Sequence, residues 1–276
     1  MKSFLIIVVV LLLILVSSIF AGGYNYDGGP ESWNVNYPNC RGNKQSPINF
    51  NTNTDRPSPL TSGFFRIYNT DNFTVSNSHG IEFTDLLRRS AITFDFVTYD
   101  FQQVHFHIPS EHRIDGKHYD AEAHFVFKDR NNNLSVIGVL YSVNAGGFSK
   151  FLSSFPYPPK DITWTFGRLP DVMTADLLSV IFSIAEFGTT SPWAYRYYGS
   201  LTTPPCNEGV TWWVATKILP ISVDQLISIR ALTGYNSRPT QPRNGRTVPV
   251  IGRGTEISKR LKASQGGKLT ITSNRP

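Results

Sequence analysis

A single domain of mostly β structure, edged by a few short helices, is the fold class predicted by the sequence. Apolar and polar residues alternate with a period of two along several runs rich in aromatic and β-branched side chains, the pattern of strands that bury one face. Helical periodicity is confined to two stretches, and the 276 residues contain neither a low-complexity linker nor an internal repeat. β-rich folds of this size commonly run as one unit.

The chain opens on Met1 and Lys2, continues through an unbroken apolar run from Phe4 to Val16, and reaches small residues at Ala21, Gly22 and Gly23. That order reads as a secretory signal peptide over residues 1–21, leaving residues 22–276 as the folded domain. The apolar run is short for a membrane span, although an uncleaved anchor is the alternative. No second apolar stretch is long enough to cross a bilayer, and the end from Lys268 to Pro276 is polar. The mature chain is therefore expected to be secreted or held in the lumen of the secretory pathway, without a stable membrane anchor after cleavage. The triplets Asn72-Phe73-Thr74 and Asn133-Leu134-Ser135 make Asn72 and Asn133 glycosylation candidates.

Two cysteines, Cys40 and Cys206, are present, and for an oxidising compartment one disulfide is the economical reading, two buried thiols being the other. The formal net charge is +6, one less without Lys2. The basic residues are scattered, with one small cluster at Lys259, Arg260 and Lys262, so nucleic-acid binding has no support beyond a high pI.

Strands are expected over Ala91 to Tyr99, Phe101 to His107, Ala121 to Phe127, Val136 to Val143 and Val210 to Thr216, from alternation in each. Helices are expected over Asp171 to Phe187 and over Ser222 to Leu232, the second opened by a Ser cap and closed near Gly234.

All six histidines fall between His79 and His124. His105 and His107 are two apart, so on a strand both side chains face one way. If the chain folds back as a hairpin around Arg113 to Gly116, where Asp115-Gly116 is a turn signal, His105 comes opposite His124 and His107 opposite Glu122. Three imidazoles then share one face with a carboxylate. Three histidines with a fourth position open are the ligand set of a catalytic zinc site, and Glu122 lies where it can accept from the second nitrogen of an imidazole. A lone histidine would read as a packed or surface residue, and His118, in the turn after Gly116, is expected only to be exposed.

The stretches Gln103-Val-His-Phe-His107, Pro109-Ser-Glu-His112, Glu122-Ala-His124 and Gly199-Ser-Leu-Thr-Thr-Pro-Pro-Cys206 together resemble the α-class carbonic anhydrases. So do Gly29-Pro-Glu-Ser-Trp33, Gln45-Ser-Pro-Ile48, Ser76-Asn-Ser-His79 and Asn236-Ser-Arg-Pro-Thr-Gln-Pro242. The likeness runs from about Tyr24 to Val250, with Phe148 to Tyr195 fitting less well as a variable excursion. His105-x-His107-x3-Glu111 also resembles the first cupin motif. That rival fails downstream, where no proline stands between Pro109 and His124 and Lys128 occupies the position of the required asparagine.

The carbonic anhydrase resemblance implies a large twisted, mainly antiparallel sheet with a conical cavity leading to zinc on His105, His107 and His124. It implies reversible hydration of carbon dioxide to bicarbonate and a proton through zinc-bound hydroxide, and sulfonamide inhibition. Among the site residues it implies, Thr202 and Glu111 orient the nucleophile, and His79 shuttles the proton. Gln103, Glu122 and the carbonyl of Asn236 orient the three ligands, with His112 bracing Glu122. Val126, Val136, Leu201, Thr203, Val210 and Trp212 line the substrate pocket. Glu82 departs from the family, standing where a neutral polar residue is frequent. A non-catalytic zinc-binding or matrix protein on the same fold is the alternative function, and the sequence leaves the oligomeric state open.

Overall fold

The computed structural model describes residues 24–59, 63–67, 71–76, 82–85, 91–153, 163–168, 194–252 and 269–271. The expected leader, His79, the expected helix over Asp171 to Phe187 and the Lys259–Lys262 cluster lie outside them.

The strands are β1 (Asn49–Phe50), β2 (Pro57–Pro59), β3 (Gly63–Ile67), β4 (Asp71–Ser76), β5 (Glu82–Asp85), β6 (Ala91–Phe94), β7 (Val97–His107) and β8 (Arg113–Ile114). They continue as β9 (Ala121–Lys128), β10 (Leu134–Ser142), β11 (Thr163–Arg168), β12 (Ala194–Ser200), β13 (Glu208–Ala215), β14 (Leu219–Pro220), β15 (Val250–Gly252) and β16 (Leu269–Ile271). Fourteen of them form one large sheet whose main path runs β11-β4-β5-β7-β9-β10-β13-β12-β15-β2, while β1 and β8 pair separately. Most neighbours are antiparallel, but β10 runs parallel to β13 at the centre and β15 parallel to β2 at the edge. Among the described residues the α-helices are α1 (Trp33–Asn36), α2 (Lys150–Ser153) and α3 (Val223–Thr233). Ser222 and Gln225 close a reciprocal capping box at the start of α3, which satisfies two otherwise free backbone donors.

Alternation sorts the side chains of the sheet into two layers. On one face Phe125, Phe127, Ile137, Val139, Tyr141, Trp213 and Ala215 join the larger core. On the other Val136, Leu140, Val210, Trp212 and Val214 form a second apolar cluster with Ile48 and Phe50. Glu122 and His124 alternate with the core residues of β9, so they belong to the second layer.

Two local departures from the sequence reading matter. The run from Ala91 to Tyr99 is not one strand but a hairpin, with Phe94 paired to Val97 across Asp95 and Phe96. Both turn residues have positive φ, at 48° and 67°, a conformation this two-residue turn requires and for which Gly or Asn is the usual signal. Neither is present, so the turn left no trace in composition. The second departure is a bulge in β7, where the register with β9 shifts between Phe101 and Gln103. The extra residue reverses the parity of the strand. Phe101 thereby stays in the core with Val104 and Phe106, while Gln103, His105 and His107 turn to the opposite face.

Candidate metal centre

The β7–β9 ladder pairs His105 with His124 and His107 with Glu122, and one ring nitrogen from each of His105, His107 and His124 lies within 4.8 Å of the other two. The chain from Ile108 to Asp120 makes the return, with Asp115 and Gly116 both at positive φ and Ile114 bridged to Lys117, as the Asp-Gly signal requires.

Each imidazole has its other nitrogen fixed by a different acceptor. His105 Nδ1 donates to Gln103 Oε1 at 2.8 Å. His107 Nδ1 donates to the carbonyl oxygen of Asn236 at 2.8 Å. His124 Nε2 donates to Glu122 Oε1 at 2.9 Å. The nitrogens left bare are Nε2 of His105, Nε2 of His107 and Nδ1 of His124. Nε2 of His107 is buried with no hydrogen-bond partner, which marks a buried lone pair that a cation would satisfy. Burial and mutual repulsion hold the pKa of His105 well below 6.5. Burial also lowers His107 and His124. The three rings are therefore neutral at pH 7, the form that ligates a metal. Nitrogen donors of this number and kind fit zinc.

The supports are themselves held. Asn236 anchors the end of β7 on three sides: its Oδ1 accepts from Ile108 N, its Nδ2 donates to Phe106 O, and its own N–H donates to Ile108 O. Glu122 is fully buried and accepts from the backbone of Glu111 and His112, from His112 Nδ1 at 2.6 Å and from His124. Burial alone would raise its pKa, but the two imidazoles and their hydrogen bonds override it and hold the carboxyl well below the usual range. On its far side His112 meets Tyr197 Oη at 2.7 Å, which donates onward to Ser46. Gly138 lies opposite His124, and a Cβ there would come within 2.9 Å of Glu122 Oε1, so this position is restricted to glycine by close approach.

Glu111 is buried, 3.5 Å from His107 and 3.9 Å from His124, and accepts from Arg238 N at 2.9 Å. Burial pushes its pKa up to about 7 against the pull of His124, the Arg238 N–H and the Thr202 hydroxyl. Its Oε2 nonetheless accepts no hydrogen bond of normal geometry, so Thr202 stands close to the carboxylate without a closed bond. Thr202 sits in the turn that ends where Cys206 N donates to Thr203 O. The Cys40–Cys206 disulfide ties that turn to the N-terminal segment, and Arg238 reinforces the tie by donating to Cys40 O, Gln45 Oε1 and Ser46 O.

A cavity of about 210 Å³ opens over the histidines, lined by Tyr24, Tyr26, Ser76, Glu82, Gln103, His105, Phe106, His107, Thr203 and Asn236. Tyr24 and Tyr26 were not among the sequence candidates. They pack edge-on against Trp33, and no local signal in the sequence places them over the histidines. Of the expected pocket residues only Thr203 lines this cavity. Val136, Val210 and Trp212 are buried in the second apolar cluster, with Val126 and Leu201 packed against it, and Trp212 reaches the site edge-on against His124 with ring centroids 4.8 Å apart. His118 is not simply exposed: it is half-buried and its Nδ1 bonds to the carbonyl oxygen of Ser110, fastening the return between β7 and β9.

The comparisons agree with this geometry. The model of the eukaryotic-type carbonic anhydrase family matches residues 28–251. A carbonic anhydrase of Klebsiella pneumoniae is 33% identical over 242 residues, covering 84% of this chain and 92% of its own. Alpha carbonic anhydrase 7 of Arabidopsis thaliana is 31% identical over 233 residues, covering 81% of this chain and 82% of its own. The α-carbonic anhydrase of Thermovibrio ammonificans, solved with the inhibitor sulfanilamide, superposes with a TM-score of 0.70 at 34% identity, covering 82% of this chain and 98% of that one. With its fold, its histidine cluster and these relatives in agreement, the chain belongs to the α-carbonic anhydrase family.

Proposed function

We propose that the chain interconverts carbon dioxide and bicarbonate with a zinc ion held by His105 Nε2, His107 Nε2 and His124 Nδ1. The observation that carries the reading is the set of three neutral imidazoles, each with its spare nitrogen committed to an acceptor and the other bare. Zinc held by three histidines supplies hydroxide at neutral pH by lowering the pKa of water to about 7.

The remaining steps belong to this chain's side chains. Thr202 gives its hydroxyl hydrogen to Glu111, which frees the Thr202 oxygen to accept from the nucleophile and aims the attacking lone pair at the substrate carbon. Glu111 does this as the carboxylate, a form the Arg238 N–H favours against the burial that lifts its pKa to about 7. Trp212, edge-on against His124, brings the buried apolar cluster of Val136 and Val210 up to the site, the side on which carbon dioxide would be held. His79 takes the released proton to solvent, a task suited to imidazole. It lies outside the described residues, but the strands flanking it in sequence end at Ser76 and Glu82, which pair with each other and both line the cavity.

Residues 22–276 then form a secreted domain that follows a leader over residues 1–21. The Cys40–Cys206 disulfide supports an oxidising compartment, and among the described residues no helix is long and apolar enough to cross a membrane. Asn133 is exposed in the turn between β9 and β10, a placement that supports glycosylation there; Asn72 falls within β4. Zinc-loaded protein is expected to acidify a carbon dioxide solution and to stop doing so with acetazolamide. No acidification by zinc-loaded protein would leave the fold with a non-catalytic role. His79→Ala is expected to slow turnover in weak buffer and to recover with added imidazole, whereas an unchanged rate removes the shuttle role.

A further inference from the structure

At the far edge of the sheet, β2 closes the order that β11 opens, and five strands separate β2 from β7. Six strand spacings place this edge on the order of 30 Å from His105 and His107 along the sheet. Here a second cavity, of about 480 Å³, lies between segments 54–58 and 243–249 and shares no lining residue with the first. Three guanidinium groups line it, from Arg56, Arg243 and Arg246, against the single carboxylate of Asp55.

The donors are unevenly used. Asp55 is buried, and its two oxygens are taken by Asn51 N at 2.8 Å and Arg243 Nη2 at 2.5 Å. Arg243 is left with a buried Nε that has no partner. Arg246 spends Nε, Nη1 and Nη2 on the carbonyls of Arg243, Tyr198, Gln45 and Pro242, so it contributes charge rather than free donors. Arg56 is exposed and gives one nitrogen to Asn53 O. Arg243 and Arg246 are near enough to oppose each other's charge, and the carboxylate that offsets Arg246 is Glu208, itself engaged by Lys44 N and Gln45 Nε2. Carbonyl oxygens satisfy hydrogen-bond geometry without cancelling a formal charge, so the cleft keeps a positive surplus.

We propose that this cleft binds a tetrahedral oxyanion, a phosphate or sulfate group, through Arg56 and Arg243 on its two walls with Arg246 supplying field. Guanidinium forks match such oxygens bidentately. The hydroxyls of Thr54, Ser58 and Thr247 also line the space, and a tetrahedral ion offers more acceptors to this many donors than a planar carboxylate does. The volume leaves room for whatever carries the group as an ester.

The test is calorimetric titration of the zinc-loaded chain with inorganic phosphate and, separately, inorganic sulfate. The chain is first saturated with acetazolamide to keep anions from the metal, and chloride holds the ionic strength fixed. One saturable site is expected for phosphate, sulfate or both, and the arm that saturates names the source. Arg56→Gln and Arg243→Gln are each expected to weaken it roughly tenfold, as losing a charge-assisted hydrogen bond does, with carbon dioxide hydration unchanged. Because Arg243 also braces Asp55, the exposed Arg56→Gln variant decides the matter if Arg243→Gln does not fold. No saturable site in either arm, displacement by chloride alone, or Arg56→Gln binding at full strength would overturn the proposal.

Discussion

Among single residues, Glu122 connects more of the centre than any ligand does. It accepts from His124, from His112 and from two backbone N–H groups, so it sets the ring angle of His124 and the path of the return loop together. Replacing it with Gln keeps the shape but puts a donor where only acceptors fit. Glu122→Gln is expected to weaken zinc binding by roughly 10–100-fold, read by competition with a chelator, and unchanged affinity would mean that the ring is oriented by packing alone. Gly138→Ala is expected to act through the same oxygen, because the added carbon meets Glu122 Oε1; it should lower zinc affinity with every ligand intact. Much of this was legible. The two-residue spacing of His105 and His107 and the Asp115-Gly116 turn predicted the register that brings His124 beside them. Tyr24 and Tyr26 were not legible as cavity residues, because nothing local to the N-terminal segment says which part of the sheet it will cross.

Across elements, the bulge in β7 decides which face carries the ligands. A period of two read straight through from Phe101 to His107 puts Phe101 on the same side as His105, in the cavity. The spacing of three between the buried Phe101 and Val104 was the clue to the slip in parity, and it is too short a pattern to stand out. Helix α3 is the opposite case, since Ser222, Gln225 and Gly234 mark its ends in the sequence and in space. Gln225 also donates to Ser149 O and Ser153 Oγ, so the cap fastens α3 to α2. Ser222→Ala is expected to cost about 1 kcal/mol in denaturant unfolding, with no effect on zinc affinity.

For the whole molecule, one link joins chain ends to chemistry: the Cys40–Cys206 disulfide spans 166 positions and holds the Thr202 turn to the N-terminal segment. In the chain-entropy view a loop of that length contributes roughly 5 kcal/mol. Reduction is expected to lower the melting temperature, and no shift would mean that packing around Trp33 holds the segment unaided. Acidity acts on the metal-free fold through the buried imidazoles. Their pKa values are depressed from 6.5 in the folded chain, so below that pH the unfolded chain takes up protons that the folded site refuses. Stability of the metal-free protein should therefore fall as pH drops below 6.5, and a flat profile there would mean that the cluster is hydrated and open.

Whether these three histidines make a zinc-dependent enzyme is read from the carbon dioxide hydration rate as metal-free protein is titrated with zinc. The rate is expected to rise linearly to about one equivalent and then stay level, and His124→Ala should stay near the uncatalysed rate throughout. A rate that ignores zinc, or a His124→Ala titration that matches the unaltered chain, would mean that they do not.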